Sequence, residues 1–168
     1  VNPIMGLLNT ALSNGLSALS ESNLSVLLGA LLGGMMAIDM GGPFNKAAYV
    51  FGTAMLTQAQ TLSDPNVAYT IMAAVMIGGM VPPIAIALST TFFKKKWNPT
   101  EQKNGAVNFV MGLSFITEGA IPYAAADPLV VIPSCVAGSA LAGALSALFG
   151  CTLMAPHGGI FVFAVVGR

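Results

Sequence analysis

Five ionisable residues stand beside glycine or proline in otherwise apolar sequence: Asp39, Lys46, Glu118, Asp127 and His157. A charge in apolar surroundings is costly and by default marks a functional position. Glycine and proline interrupt helices and leave backbone donors and acceptors free. Free backbone groups combined with a few charges suit an uncharged ligand rich in hydroxyls. A carboxylate can accept from two hydroxyls at once, and Asn or Lys can donate to others.

Glu118 lies between Ile116-Thr117 and Gly119-Ala120-Ile121-Pro122. Apolar neighbours strip water from a carboxylate and make it a better acceptor of a hydroxyl proton. Pairing with a lysine, or capping a helix start, is the plainer alternative. Thr117 adds a hydroxyl beside it. His157 is the single histidine, held in a turn between Pro156 and Gly158-Gly159. It can donate to a ligand oxygen or a phosphate, orient Glu118, or serve as a hydrogen-bonded packing residue. Asp39 and Lys46 flank Gly-Gly-Pro-Phe-Asn, so Lys46 either neutralises a phosphate or pairs with Asp39. Asn45 both donates and accepts. Asp127 precedes Pro128 and reads as a helix N-cap, with ligand contact as the alternative.

Other chemistries lack their residues. Cys135 and Cys151 form no C-x-x-C pair, and one histidine cannot complete a typical zinc site. Both thiols read as small inert hydrophobes, and neither a metal nor a cofactor is expected. No G-x-x-x-x-G-K-[ST] loop, G-x-G-x-x-G or H-E-x-x-H occurs, so energy must come from another protein or an ion gradient.

The elements that carry these residues are apolar. Of 168 residues, 55% are hydrophobic and 7% charged, against about 25% charged in soluble domains. Mean hydropathy is +0.81. This is the composition of a chain dissolved in lipid. Six basic and six acidic residues cancel, and the one charge run is Lys94 to Lys96, so no nucleic-acid surface is expected.

Ile4 to Leu19 reads as an amphipathic helix, so that residues 1–20 form an interfacial or outer-side element. Asn23 to Asp39 reads as a membrane segment whose uncharged stretch spans about 22 Å. Its Gly29 and Gly33 form a close-packing face. Met40 to Lys46 is a polar break, Ala47 to Leu62 a weaker helix, and Ser63 to Asn66 a turn. Val67 to Phe93 is about 40 Å long if straight, and Pro82-Pro83 must kink or split it. Lys94 to Lys103 reads as a hydrophilic loop on the cytoplasmic side, anchored by Trp97. That orientation puts Asp64 outside and Lys46 toward the inner side. Residues 105–127 read as a re-entrant hairpin or broken helix with its tip near Glu118. Pro128 to Met154 reads as a long span with Gly138, Ser139, Ala142, Gly143 and Ala147 on a small-residue face. Residues 160–168 read as the start of a cut-off segment, and both ends as cuts through a longer protein. The expected fold is an all-α membrane protein: polytopic transmembrane helices within residues 24–154, with broken helices and a re-entrant hairpin.

Three stretches resemble the IIC membrane domain of bacterial fructose-specific phosphotransferase permeases. They are Asp39-Met-Gly-Gly-Pro-Phe-Asn-Lys-Ala-Ala-Tyr49, Phe115-Ile-Thr-Glu-Gly-Ala-Ile-Pro-Tyr-Ala-Ala-Ala-Asp-Pro128 and Leu153-Met-Ala-Pro-His-Gly-Gly-Ile-Phe161. Met80-Val-Pro-Pro83 is similar to that family too. The resemblance implies a multi-pass protein of the bacterial inner membrane. It implies inward transport of fructose or a related sugar, with phosphorylation from a phosphocysteine on a cytoplasmic IIB domain. IIA and the general phosphotransferase proteins would stand upstream, and the full-length protein would be a homodimer. The glutamate that contacts sugar in related permeases corresponds to Glu118. The other motifs fall on His157 and on Asn45 and Lys46. The competing classes are an ion-coupled secondary transporter, for which discontinuous helices and intramembrane carboxylates serve equally well, and a structural membrane scaffold.

Overall fold

A computed structural model describes residues 25–61 and 64–167. The expected helix over residues 1–20 lies outside the described residues. The described chain is helical apart from one antiparallel pair of two-residue strands. In order, α1 is Ser25–Ile38, α2 is Pro43–Gln58 with a 3-10 extension Ala59–Thr61, and α3 is Pro65–Phe92. After a 3-10 turn at Lys94–Lys96 come α4 (Pro99–Leu113), a 3-10 turn Thr117–Ala120, α5 (Ile121–Ala126) and α6 (Pro128–Leu148). Strand β1 (Thr152–Leu153) pairs with β2 (Val166–Gly167) across the 3-10 segment Gly159–Val165. Residues 160–168 thus fold back on the chain as far as they are described.

Local signals set the starts. Pro65 and Pro99 occupy first-turn positions, where the missing N–H is harmless. Asp64 accepts from the Asn66 N–H at 2.9 Å. Asn98 and Glu101 form a reciprocal capping box, each accepting the other's backbone N–H at 2.9 Å. This box corrects the reading of Lys94 to Lys103 as a loop: its second half is the first turn of α4. Helix α2 likewise begins at Pro43, so Asn45 and Lys46 lie in a helix rather than in the polar break. Helix α6 ends at Leu148, short of Met154.

Helix α3 is the hub, packed against α1, α2, α4 and α6. At 28 residues it is about 42 Å long. Helices α3 and α6 are long and apolar enough to cross a membrane. Leu28, Leu32, Met36, Met72 and Val75 fill the centre of the main core.

Pro82 and Pro83 do not split α3, which runs through them unbroken. Each lacks an N–H, so the carbonyls four residues earlier, at Gly78 and Gly79, lose their helical partners. Side chains from elsewhere replace them. The Ser139 hydroxyl donates to the Gly78 carbonyl at 2.9 Å, and the Thr117 hydroxyl to the Gly79 carbonyl at 3.0 Å.

The small-residue faces meet as expected from sequence. A Cβ on Gly29 would stand 2.6 Å from the Gly143 carbonyl oxygen, and one on Gly78 2.5 Å from the Gly33 Cα. Helices α1, α3 and α6 therefore cross backbone against backbone.

Candidate functional site

The site is built where α4 stops. Ile116 N–H donates to the Met111 carbonyl at 2.8 Å, and Phe115 N–H to the Gly112 carbonyl at 3.1 Å. This bond pair closes a helix through a left-handed residue, a position that glycine usually fills. Here it is Phe115, at φ +63°. A bulky side chain in that region is strained, and such strain persists only where the surroundings fix it. The surroundings are plain. The buried Phe115 ring lies 6.1 Å from the Tyr49 ring and 5.2 Å, edge-on, from the His157 imidazole. A Cβ on Gly79 would overlap it. A Cβ on Gly159, itself left-handed at φ +56°, would overlap the Leu113 carbonyl. Phe115 thus joins the three stretches around residues 39–49, 115–128 and 153–161.

Beyond Phe115 the chain turns through Thr117–Ala120 and presents Glu118 at the surface. The sequence placed this carboxylate away from water; in the described chain it is exposed. It makes no hydrogen bond or ion pair among the described residues, so neither the lysine partner nor the helix cap is found. It lies against the Gly-Gly-Pro loop: a Cβ on Gly41, at φ +116°, would stand 2.9 Å from Glu118 Oε1. On its other side Glu118 lines an open cleft of about 420 Å³ with Asn104, Asn108, Met111 and Tyr123. That size is within the range of about 300–1,000 Å³ usual for small-molecule sites. The Tyr123 hydroxyl donates to the Glu101 carbonyl at 2.8 Å, and its ring meets Trp97 edge-on at 5.4 Å. These contacts fix the far wall.

The other candidates divide. Asp39 spends both carboxylate oxygens on the start of α2, accepting from Phe44 N–H at 2.7 Å and Asn45 N–H at 3.0 Å. Gly42 occupies the N-cap position without a side chain, so Asp39 supplies the cap from upstream. The buried Asn45 donates to the Met36 carbonyl at 2.7 Å, tying α2 to the end of α1. Lys46 is exposed and makes no ion pair among the described residues, so the Asp39–Lys46 pair does not form. Thr117 gives its hydroxyl to Gly79, which anchors the turn bearing Glu118. His157 is exposed on the Phe115 edge. Asp127 stands at the N-cap position of α6 but makes no capping bond, which corrects the reading as a side-chain cap. It lines a separate cavity with Lys96, Trp97 and Cys135.

Sequence reasoning missed Asn104 and Asn108. Their signal was present: two amides one helical turn apart in a segment that otherwise becomes apolar.

The family profile described as "Phosphotransferase system, EIIC" matches residues 1–138. The chain is 52% identical over 160 residues to the PTS system fructose-specific EIIABC component of Bacillus subtilis (strain 168), covering 95% of this chain and 24% of that protein. It is 52% identical over 160 residues to the fructose permease IIC component of Bacillus amyloliquefaciens, covering 95% and 49%. It is 49% identical over 165 residues to the PTS system fructose-specific EIIB'BC component of Escherichia coli (strain K12), covering 98% and 28%. The chain therefore spans between 24% and 49% of the length of these relatives. No solved structure matches it.

Proposed function

The chain belongs to the phosphotransferase system EIIC family, and from that premise we propose that it is the sugar-handling part of a permease for fructose or a closely related sugar. The full-length protein takes the sugar up across a bacterial inner membrane, as a multi-pass homodimer, and phosphorylates it on the way. The observation that carries this reading is the free carboxylate of Glu118, held at a helix break between the Gly-Gly-Pro loop and an amide-lined cleft.

In the transfer, a sugar hydroxyl attacks the phosphorus of a phosphocysteine on a IIB domain. The S–P bond breaks, the O–P bond forms, and the thiolate stays on IIB. The hydroxyl proton passes to the Glu118 carboxylate. Fructose would leave as fructose 1-phosphate. Lys46 shares a motif with Gly41, which stands against Glu118, and His157 meets Phe115 edge-on in the motif that carries Glu118, which supports a role for both. Their charge and donor capacity suit the incoming phosphoryl group. The names of relatives join the C component to A and B components, which supports a phosphoryl relay through IIA and IIB here. Residues 105–127 form a re-entrant element: α4 has 15 residues, about 22 Å, too short to cross a hydrocarbon core of about 30 Å. In the assembled permease this element brings Glu118 to the substrate.

The test uses the full-length permease that carries this sequence, in membrane vesicles with phosphorylated IIB. Glu118→Gln should lower phosphoryl transfer to fructose by a factor of about 10²–10⁴, the usual worth of a general base. Near-normal transfer by that variant overturns the assignment. Delivery of unmodified sugar, driven by an ion gradient, overturns the phosphotransferase reading itself.

A further inference from the structure

Asn108 is 2% exposed, yet its amide has no hydrogen-bond partner among the described residues. Other buried polar side chains are spoken for: Asn45, Thr90, Thr117 and Ser139 each donate to a backbone carbonyl. Ser146 also lacks a partner, but it lines an apolar cleft and offers a single hydroxyl. Asn108 carries two donors and a carbonyl, and because no fully buried side-chain polar atom among the described residues lacks a partner, these unbonded atoms keep contact with solvent.

The amide borders the Glu118 cleft. It is also fixed in place. A Cβ on Gly119 would overlap Asn108 Oδ1 and stand 2.8 Å from Met111 Sδ. Gly119 therefore lets the amide lie against the residue directly after Glu118. Glu101, Asn104, Asn108 and Met111 follow at helical spacing and line one wall. Glu101 is engaged in the capping box, which leaves the two amides as the free polar groups of that wall.

Resting on the sugar-permease reading, we propose that Asn108 is a substrate-binding residue, hydrogen-bonding a sugar hydroxyl beside the one that faces Glu118. The ligand class is a neutral polyol or monosaccharide: an amide edge matches a hydroxyl, which both donates and accepts, and adds no charge. Asn104, exposed at the mouth of the same wall, extends the contact to a second hydroxyl.

The experiment again uses the full-length permease with phosphorylated IIB. Fructose and a panel of deoxy-fructoses are assayed with Asn108→Ala and with Asn108→Leu, which keeps the bulk against Gly119. Both variants should raise the fructose KM about tenfold or more, with kcat changed less than threefold. One deoxy-sugar should lose about tenfold with the unaltered protein and nothing further with either variant, because the hydroxyl and the amide are partners. A KM within twofold in a properly inserted variant overturns the inference. So does a panel in which every deoxy-sugar loses as much with the variants as without them. Failure of both variants to insert makes Asn108 a folding residue and also overturns it. Fructose phosphorylation that ignores Asn108 leaves the permease reading standing. Sugar uptake without any phosphorylation fails that reading instead, and the same KM cycle is then read on uptake.

Discussion

The Thr117 hydroxyl and the Gly79 carbonyl are 3.0 Å apart, and that carbonyl is the one Pro83 leaves without a helical donor. The residue before Glu118 is thereby fastened to the interior of α3. Thr117→Val should cost about 1–2 kcal/mol of stability by stranding a buried carbonyl. Thr117→Ser should restore most of it. Phosphoryl transfer should fall more than sugar affinity does, since the turn that aims Glu118 loses its anchor. Thermal unfolding in detergent and a split of kcat from KM would check both parts.

Restoring the missing donor should uncouple the pair. Pro83→Ala returns an N–H to α3 that can reach the Gly79 carbonyl. On that background Thr117→Val should be milder by about 1 kcal/mol, a coupling typical of residues sharing one partner. Additive losses in a double-mutant cycle would show that the two residues act separately.

Phe115 inverts a familiar order. In a helix interior, glycine is about 1 kcal/mol worse than alanine. At φ +63° the order should reverse, with Phe115→Gly more stable than Phe115→Ala by about 1 kcal/mol. Both should be inactive or nearly so, because neither supplies the ring between Tyr49 and His157. Equilibrium unfolding of the two variants side by side decides it.

Asp39 should behave as a cap and not as a sugar ligand. Asp39→Ala should cost about 1 kcal/mol, whereas Asp39→Asn should be nearly neutral in stability and leave the fructose KM unchanged. A KM shift of tenfold with Asp39→Asn would return Asp39 to the substrate.

Gly33→Val should be among the most damaging single changes. A Cβ there would overlap the Ser139 carbonyl oxygen, which is backbone and cannot move aside. Overpacking of about 1–3 kcal/mol is expected even from one methyl. The yield of folded protein in membranes measures it.

The sequence was most readable where one stretch determined its own structure. Gly29 and Gly33 announced a close crossing, and the break near Glu118 a discontinuity, whereas Pro65 and Pro99, read within a turn and a loop, open helices. The Asn98-Pro-Thr-Glu101 box was also local and was obscured only by the lysines before it. What could not be read was long-range compensation. The hydroxyls serving the Gly78 and Gly79 carbonyls come from 61 and 38 residues away, and no local pattern selects Ser139 or Thr117. Phe115 was hidden for a related reason: its left-handed backbone opposes its own preference and is held by contacts that other segments supply. Asp39 and Asn45 drew notice as charge and amide beside glycines, yet backbone N–H and carbonyl groups absorb them.

The crossing of α1, α3 and α6 has a thermodynamic consequence. Glycine has no rotamers to immobilise, so docking these helices surrenders little side-chain entropy. Short backbone contacts gather dispersion attraction where lipid tails provide no hydrophobic reward for association. The trio should therefore be the last part of the chain to melt. Its amides should exchange with deuterium more slowly than those of α4 and α5, which leaves the Glu118 turn free to breathe against a cold-setting frame.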